Sequence, residues 1–194
     1  KTGIPLDGIP FHPYYTVKDL VGVAVFLIVF SAIIFFAPEM GGYFLEANNF
    51  VPANPMVTPA HIAPVWYFTP YYSILRAVPP IFNSQFPGVA AMGLSVMAFA
   101  FLPWLDKSPV KSIRYRGALY KKWLAAFVVS FLILGYLGTV PSNVWGQFGP
   151  WLGGADRATV VARIFMVIYF AFFALMPWYT KKDKTTPVPE RVTG

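Results

Sequence analysis

The sequence predicts an all-α integral membrane fold: four transmembrane helices, with a long outer loop that carries short amphipathic helices. Three observations predict it. First, 57% of the 194 residues are hydrophobic and only 12% are charged, about half the charged share of soluble domains. A soluble chain of this length must still cover itself with polar side chains. Second, four long stretches carry no charge: Leu20 to Ala37, Ala77 to Leu105, Trp123 to Ala155 and Ile164 to Thr180. Third, the basic residues collect in alternate connections. Cysteine is absent, which excludes disulfides, thiolate metal sites and a C-x-x-C-H haem attachment on this chain. No basic-then-apolar leader opens the sequence, so no signal peptide is expected, and the chain is expected to be a piece of something longer.

A span needs about 20 mostly apolar residues to cross roughly 30 Å of hydrocarbon, and in lipid such a run closes its own backbone hydrogen bonds only as a helix. The first span is expected near 17–38, opened by a Thr16-x-x-Asp19 capping box and closed by Pro38. The loop 39–85 follows. The second span is expected near 86–105 and the third near 120–140, where Gly135 and Gly138 permit close helix approach. The fourth is expected near 158–178, with Arg163 snorkelling near one end and Pro177 near the other. Residues 1–180 form the membrane domain and 181–194 a polar, mobile tail.

With four spans, Lys1, Lys18, Lys107, Lys111, Arg114, Arg116, Lys121, Lys122, Lys181, Lys182, Lys184 and Arg191 share one face; Arg76 and Arg157 lie on the other, and Arg163 at the edge. The positive-inside rule places the first face, with both termini, in the cytoplasm or matrix. The net charge of +7 is therefore a topological signal. The basic cluster SPVKSIRYRG sits between two spans, and no nucleic-acid partner is expected.

The outer loop exceeds the length of a simple connection, and such loops tend to be functional. Its stretch PVWYFTPYYSILRAVP, Pro64 to Pro79, is aromatic, broken by prolines, and holds one cation, Arg76. That composition suits a wall for a flat apolar ligand at the bilayer edge; it also suits an interfacial belt of Trp and Tyr. Arg76 is read as pairing with a carboxylate in preference to stacking on a ring. Arg114 and Arg116 are read as solvated or as touching anionic head groups.

Three features carry a resemblance: IPFHPYYTVKD (Ile9 to Asp19); the run from Pro52, PANPMVTPAHIAPVWYF, through ILRAVP; and the four-span layout with a basic inner loop. Over nearly its whole length the chain resembles the C-terminal half of cytochrome b, the membrane core of the quinol:cytochrome c oxidoreductase (cytochrome bc) complex. Subunit IV of the plant-type complex is similar but typically has three spans, so the fourth run favours the respiratory form.

The resemblance implies an all-helical membrane subunit of an electron-transport oxidoreductase, inactive as this fragment alone. It implies two b-type haems on an N-terminal half that carries their four histidines. This chain has only His12 and His61, each in a loop near prolines, so no metal is expected on it. The implied substrate is ubiquinol, ubiquinone or another quinone. The implied partners are the haem-binding half of cytochrome b, a Rieske iron–sulfur protein, a c-type cytochrome and membrane lipids, in a dimeric complex of an energy-transducing inner membrane. One electron from quinol goes to the iron–sulfur protein, the other through the haems to quinone at the inner face, with proton translocation.

By the same resemblance, the outer quinol site uses Ile62, Pro64, Val65, Trp66, Tyr67, Phe68 and Tyr72, and the inner quinone site uses Phe11, Tyr15, Lys18 and Asp19. No catalytic residue is assigned. The family motif Pro-Glu-Trp-Tyr reads Pro64-Val65-Trp66-Tyr67 here. Valine cannot take the proton that a buried carboxylate could, and among some bacterial members of the family valine is a known variant, which points to a bacterial source. Glu39 and Glu46 share the outer loop as weaker candidates for the acceptor. Asp19 can relay a proton and Lys18 can hold the charge, beside their capping and flanking roles; His12 is read as structural. The competing class is a passive membrane scaffold or a small transporter bundle, the latter marked by ionisable residues inside its spans.

Overall fold

The computed structural model describes residues 8–59, 62–81, 83–148 and 155–189, the side chain of Ala47 apart. Lys1, His61, Arg191 and the end of the tail lie outside the described residues. The described residues are all-helical: α1 Tyr14–Phe36, α2 Thr69–Ala77, α3 Phe86–Ala100, α4 Leu102–Leu105, α5 Ala118–Thr139, α6 Arg157–Ala174 and α7 Met176–Lys182, with 3-10 turns at Met40–Gly42, Ala47–Phe50 and Ile113–Tyr115. The chain forms two units, residues 1–52 with 187–194, and residues 53–186.

The first unit contains α1. Beyond Asp19 this helix is apolar on every side, its most apolar 18-residue stretch having mean hydropathy 2.7, and none of its residues is buried. A helix without a polar face is stable in lipid or inside a larger assembly, not against water. The expected capping box is not formed. α1 begins at Tyr14, ahead of Thr16, and the amides of Tyr15 and Thr16 already bond the carbonyl of Phe11. The first turn closes before Thr16 can cap it, and its hydroxyl pairs instead with His12 Nδ1 at 3.2 Å.

The second unit is built on α2. This nine-residue helix packs on α3, α5 and α6. It is amphipathic, burying Thr69, Pro70, Ser73, Ile74 and Ala77. Two glycines let it come close. A Cβ on Gly138 would overlap the Thr69 backbone, and one on Gly88 would stand 2.6 Å from the Leu75 carbonyl oxygen. Around this contact lies a core of Ile74, Leu134, Leu137, Tyr169, Phe172, Phe173 and Tyr179. Phe127 stacks on Phe172 at 4.5 Å. The Tyr169 hydroxyl crosses from α6 to the Ser95 carbonyl of α3 at 2.8 Å, so a buried polar group is satisfied where no water could serve it.

Two runs read as single spans are broken. α3 ends at Ala100, and α4 restarts at Leu102 with Pro103 in its first turn. α6 ends at Ala174, and α7 restarts at Met176 with Pro177 in its first turn. Proline lacks the N–H a helix interior needs and fits its first turn. Among the described residues, three helices are long and apolar enough to cross a membrane: Tyr14–Phe36, Ala118–Thr139 and Arg157–Ala174. α3, with 15 residues, is shorter.

Replacing Gly138 by alanine should lower the stability of the second unit by about 1–3 kcal/mol, the usual range for overpacking. Gly93→Ala, where a Cβ meets nothing within 4 Å, should be neutral or slightly stabilising. Thermal unfolding of the detergent-solubilised protein checks the contrast.

Candidate functional site: an aromatic wall carried by α2

Residues 62–65 belong to no regular element, and residues 66–68 form a turn that leads into α2. The turn closes with the Phe68 amide donating to the Val65 carbonyl at 2.8 Å. The Thr69 hydroxyl donates to the Trp66 carbonyl at 2.7 Å, which ties the turn to the helix. The rings then run in sequence. Trp66 and Tyr67 meet edge-on with centroids 5.6 Å apart, and Tyr67 and Phe68 stand 5.0 Å apart. Phe68 meets the edge of Tyr71, and Tyr71 meets Phe131 of α5 at 6.1 Å. Edge-to-face pairs of this kind hold rings in fixed mutual orientation.

The wall faces outward from its own unit: Tyr67 remains 53% exposed, and Ile62, Val65, Trp66 and Phe68 are also exposed. Pro64 and Tyr72 are half-buried. All seven residues proposed for the outer site thus lie on one short segment anchored by α2. Tyr71, which was not among them, is the link between wall and bundle. Burial pushes its phenol above the ordinary value, so it stays neutral at physiological pH and serves as a ring, not a proton acceptor.

Two arginines fix the far end of α2. Arg76 Nη1 donates to the Val140 carbonyl at 3.0 Å and Nη2 to the Leu137 carbonyl at 3.4 Å, and the guanidinium lies 5.3 Å from the centroid of the Tyr72 ring. Arg163 Nε donates to the Ala77 carbonyl at 2.9 Å. Terminal carbonyls of α2 and α5 thereby receive charged donors, which complete their hydrogen bonds and meet the negative end of each helix dipole. The expected carboxylate partner of Arg76 is replaced by these carbonyls; the ring contact with Tyr72 is present. A lone arginine in an apolar context was the sequence signal for such a role, but its partners, some 60 residues away, were not legible.

In the first unit, Phe11 stacks on Tyr15 at 5.8 Å. Tyr15, Lys18 and Asp19 stand at i, i+3 and i+4, on one face of α1, and all three are exposed or nearly so. Of the weaker acceptor candidates, Glu46 is held by Asn48 at 2.9 Å. Among the described residues no group of three or more metal-ligating side chains is assembled. His12 is engaged with Thr16 in the turn before α1, and His61 lies outside the described residues.

The family model described as Cytochrome b(C-terminal)/b6/petD matches residues 52–152. The chain is 59% identical over 190 residues to cytochrome b of Allochromatium vinosum, covering 98% of this chain and 43% of that protein. It is 42% identical over 184 residues to cytochrome b of Rhodospirillum rubrum, covering 95% and 41%. Among solved structures it resembles a chain of a hyperthermophilic respiratory Complex III, with TM-score 0.73 and 36% identity, over 94% of this chain and 41% of that one. The chain thus spans less than half the length of the relatives it matches.

Arg76→Gln should free two carbonyls at the end of α5 and cost about 1–3 kcal/mol. Hydrogen exchange should rise most in α2 and at the α5 C-terminus, and little in α1.

Proposed function

The chain belongs to the cytochrome b C-terminal family, and from that premise we propose that it is the quinone-site half of cytochrome b in a respiratory quinol:cytochrome c oxidoreductase. The observation that carries the reading is the exposed ladder Trp66–Tyr67–Phe68, set on the turn ahead of a helix that glycine contacts and two arginines immobilise. Flat exposed rings beside a bilayer suit a planar, apolar redox carrier. In this reading Ile62, Pro64, Val65, Trp66, Tyr67, Phe68 and Tyr72 wall the outer quinol site. The Tyr67 hydroxyl orients a ring oxygen, and the aromatic face offers a docking surface to the iron–sulfur partner. Phe11, Tyr15, Lys18 and Asp19 form the inner quinone wall; the carboxylate of Asp19 relays a proton while Lys18 balances its charge.

Quinol oxidation releases two protons, and Val65 accepts neither. Segment 62–81 contains no carboxylate at all. The acceptor therefore comes from elsewhere: a carboxylate of the haem-binding half, a histidine of the iron–sulfur protein, or ordered water. We also propose that residues 86–105 cross the membrane as one kinked span, α3 and α4 together matching the roughly 20 residues required. That gives four spans with both termini on the basic, cytoplasmic face of a bacterial inner membrane. The complete enzyme would add the haem-binding half, the Rieske protein and a c-type cytochrome, in a dimer. A transporter would keep ionisable groups free within its spans, whereas Arg163 of α6 is committed to the Ala77 carbonyl.

Tyr67→Leu in the intact complex should slow quinol oxidation at least about tenfold, a loss of roughly 1.4 kcal/mol of transition-state positioning, with unchanged haem absorbance; wild-type turnover would count against the outer site. Asp19→Asn should impair quinone reduction at the inner site more than oxidation at the outer one. Equal rates in both half-reactions would return Asp19 to a flanking role.

A further inference from the structure

The rings of the 53–186 unit touch in an unbroken series from the aromatic wall to the far end of α5. The series starts with Trp66, Tyr67, Phe68 and Tyr71. From Tyr71 it passes to Phe131 at 6.1 Å, and from there to Phe127 at 6.3 Å. Phe127 meets Tyr169 of α6 at 5.2 Å and Phe172 at 4.5 Å. Phe172 meets Tyr179 of α7 at 6.0 Å. Tyr179 then lies flat on Trp123, with centroids 5.2 Å apart and 9° between the planes. Trp123 stands several turns before Gly138 on α5, roughly 22 Å away along the helix axis.

Packing explains why the rings touch; it does not explain which ring stands where. Indole and phenol are the aromatic side chains that give up an electron most readily. A phenyl ring does not, but its π system couples the rings on either side of it. Along this series no two electron-donating rings are parted by more than two phenyl rings. Tyr169 and Tyr179 donate their hydroxyls to the carbonyls of Ser95 and Phe172 at 2.8 and 2.9 Å. A carbonyl is too weak a base to keep a phenol proton, so an electron vacancy does not settle on either ring. Trp123 differs, because an indole loses an electron without first losing a proton, and it is half-buried, near the start of α5. Tyr120, one turn earlier, lies under the Arg116 guanidinium at 4.2 Å, and a cation over a ring holds its electrons more tightly. These partners make Trp123 the resting place at that end.

We propose that the series is an electron relay that drains oxidative damage from the wall. An oxygen-centred radical, hydroxyl or alkylperoxyl, takes an electron and the phenolic proton from Tyr67 and becomes water or a hydroperoxide. The Tyr67 phenoxyl regains a proton from water, which its exposed ring meets, and an electron passed along the rings from Trp123. Trp123 is left as an indole radical cation. A thiolate in the aqueous phase at that end returns its electron, and two thiyl radicals pair as a disulfide. Each radical quenched thus consumes one electron and one proton, and two such events oxidise two thiolates. The exposed Lys121 and Lys122 draw an anionic thiol to the place where it is needed. In the four-span arrangement the thiol is cytoplasmic and the radical is outside. The quinone reading supplies a source of radicals, dioxygen that intercepts an electron from quinol; the ring path does not depend on it.

The test uses sealed membrane vesicles holding the intact complex, prepared in both orientations. A membrane-impermeant ruthenium complex with persulfate is flashed outside them, and oxidised residues are located by peptide mass spectrometry. With the wall outward and no thiol inside, the wild type should show oxidised Trp123 beside oxidised Trp66. Glutathione sealed inside should remove the Trp123 product and lower the damage at Trp66 and Tyr67. Phe131→Leu, which opens the path, should abolish oxidation of Trp123 and raise that of Trp66 and Tyr67 severalfold. Phe99→Leu removes a ring that meets Phe127 and Phe173 edge-on but lies off the path, and should leave the wild-type pattern. Trp123→Phe, at a half-buried position, should also raise damage at the wall, and it decides the matter if Phe131→Leu disturbs folding. With the wall inward the oxidant meets the other end directly, and Trp123 should be oxidised in Phe131→Leu as in wild type. Two results would overturn the relay. One is a pattern that ignores Phe131 and Trp123 in both orientations, whichever face is outward. The other is a shift in Phe99→Leu as large as in Phe131→Leu, which would mark loosened packing only.

Discussion

A helix of nine residues is marginal on its own in water, yet α2 holds Tyr72 and anchors the turn that carries Trp66, Tyr67 and Phe68. Two close approaches hold it in place. At Gly138 its first turn touches the backbone of α5, and at Gly88 its second turn touches α3. Any side chain at these positions would hold the helices apart by the width of a methyl group, and Ile74 and Ala77 would lose the contacts that bury them completely. The absence of two Cβ atoms therefore does more for the wall than any residue within it. Dispersion between backbones at such range replaces the hydrophobic driving force that water provides for soluble proteins.

Close approach alone leaves helix ends exposed to an environment that cannot solvate them. The chain meets this with long-range charged partners. Arg76 reaches from α2 to the last carbonyls of α5, Arg163 from α6 to the last carbonyl of α2. At the other end Asp183, arriving from beyond α7, takes the first amides of α5. Each bond joins two elements and completes a terminus, so the same groups that satisfy backbone also lock topology. Rings on a turn tied to such a helix keep their angles, which a wall for a planar molecule requires.

Three of the four expected spans match helices long and apolar enough to cross a membrane, and these were legible because their signal is bulk: long runs without charge. Their interruptions were half legible. Pro177 was visible near the end of its run, but that a helix stops at Ala174 and restarts at Met176 depends on how the chain packs around it. The Thr16–Asp19 pattern failed because a cap is defined by where the helix starts, and upstream carbonyls moved that point to Tyr14. Tyr71 and Asp183 escaped notice for a different reason. Their roles are set by partners distant in sequence, and residue type alone says nothing of a neighbour some 60 positions away. The aromatic residues of 66–72 were legible as a group because local order was enough to place them.

Valine at position 65 bears on how such a site can work at all. Under the quinone reading, the wall must do two things: hold a ring, and let protons leave it. The first needs rigid apolar surface, which α2 supplies. The second needs an acceptor whose proton affinity rises and falls with the redox step, and segment 62–81 offers none. These demands pull against each other. A carboxylate buried in an apolar wall is costly to ionise, and its charge would draw water toward the rings. Valine removes that conflict locally by giving position 65 to packing. The proton route then belongs to whatever completes the cavity, and the rigidity of α2 gains weight, because the ring oxygen must be presented to an acceptor that this segment does not carry. A wall that held its ring loosely could rely on a nearby carboxylate to find the proton; a wall without one must deliver the oxygen to a fixed place.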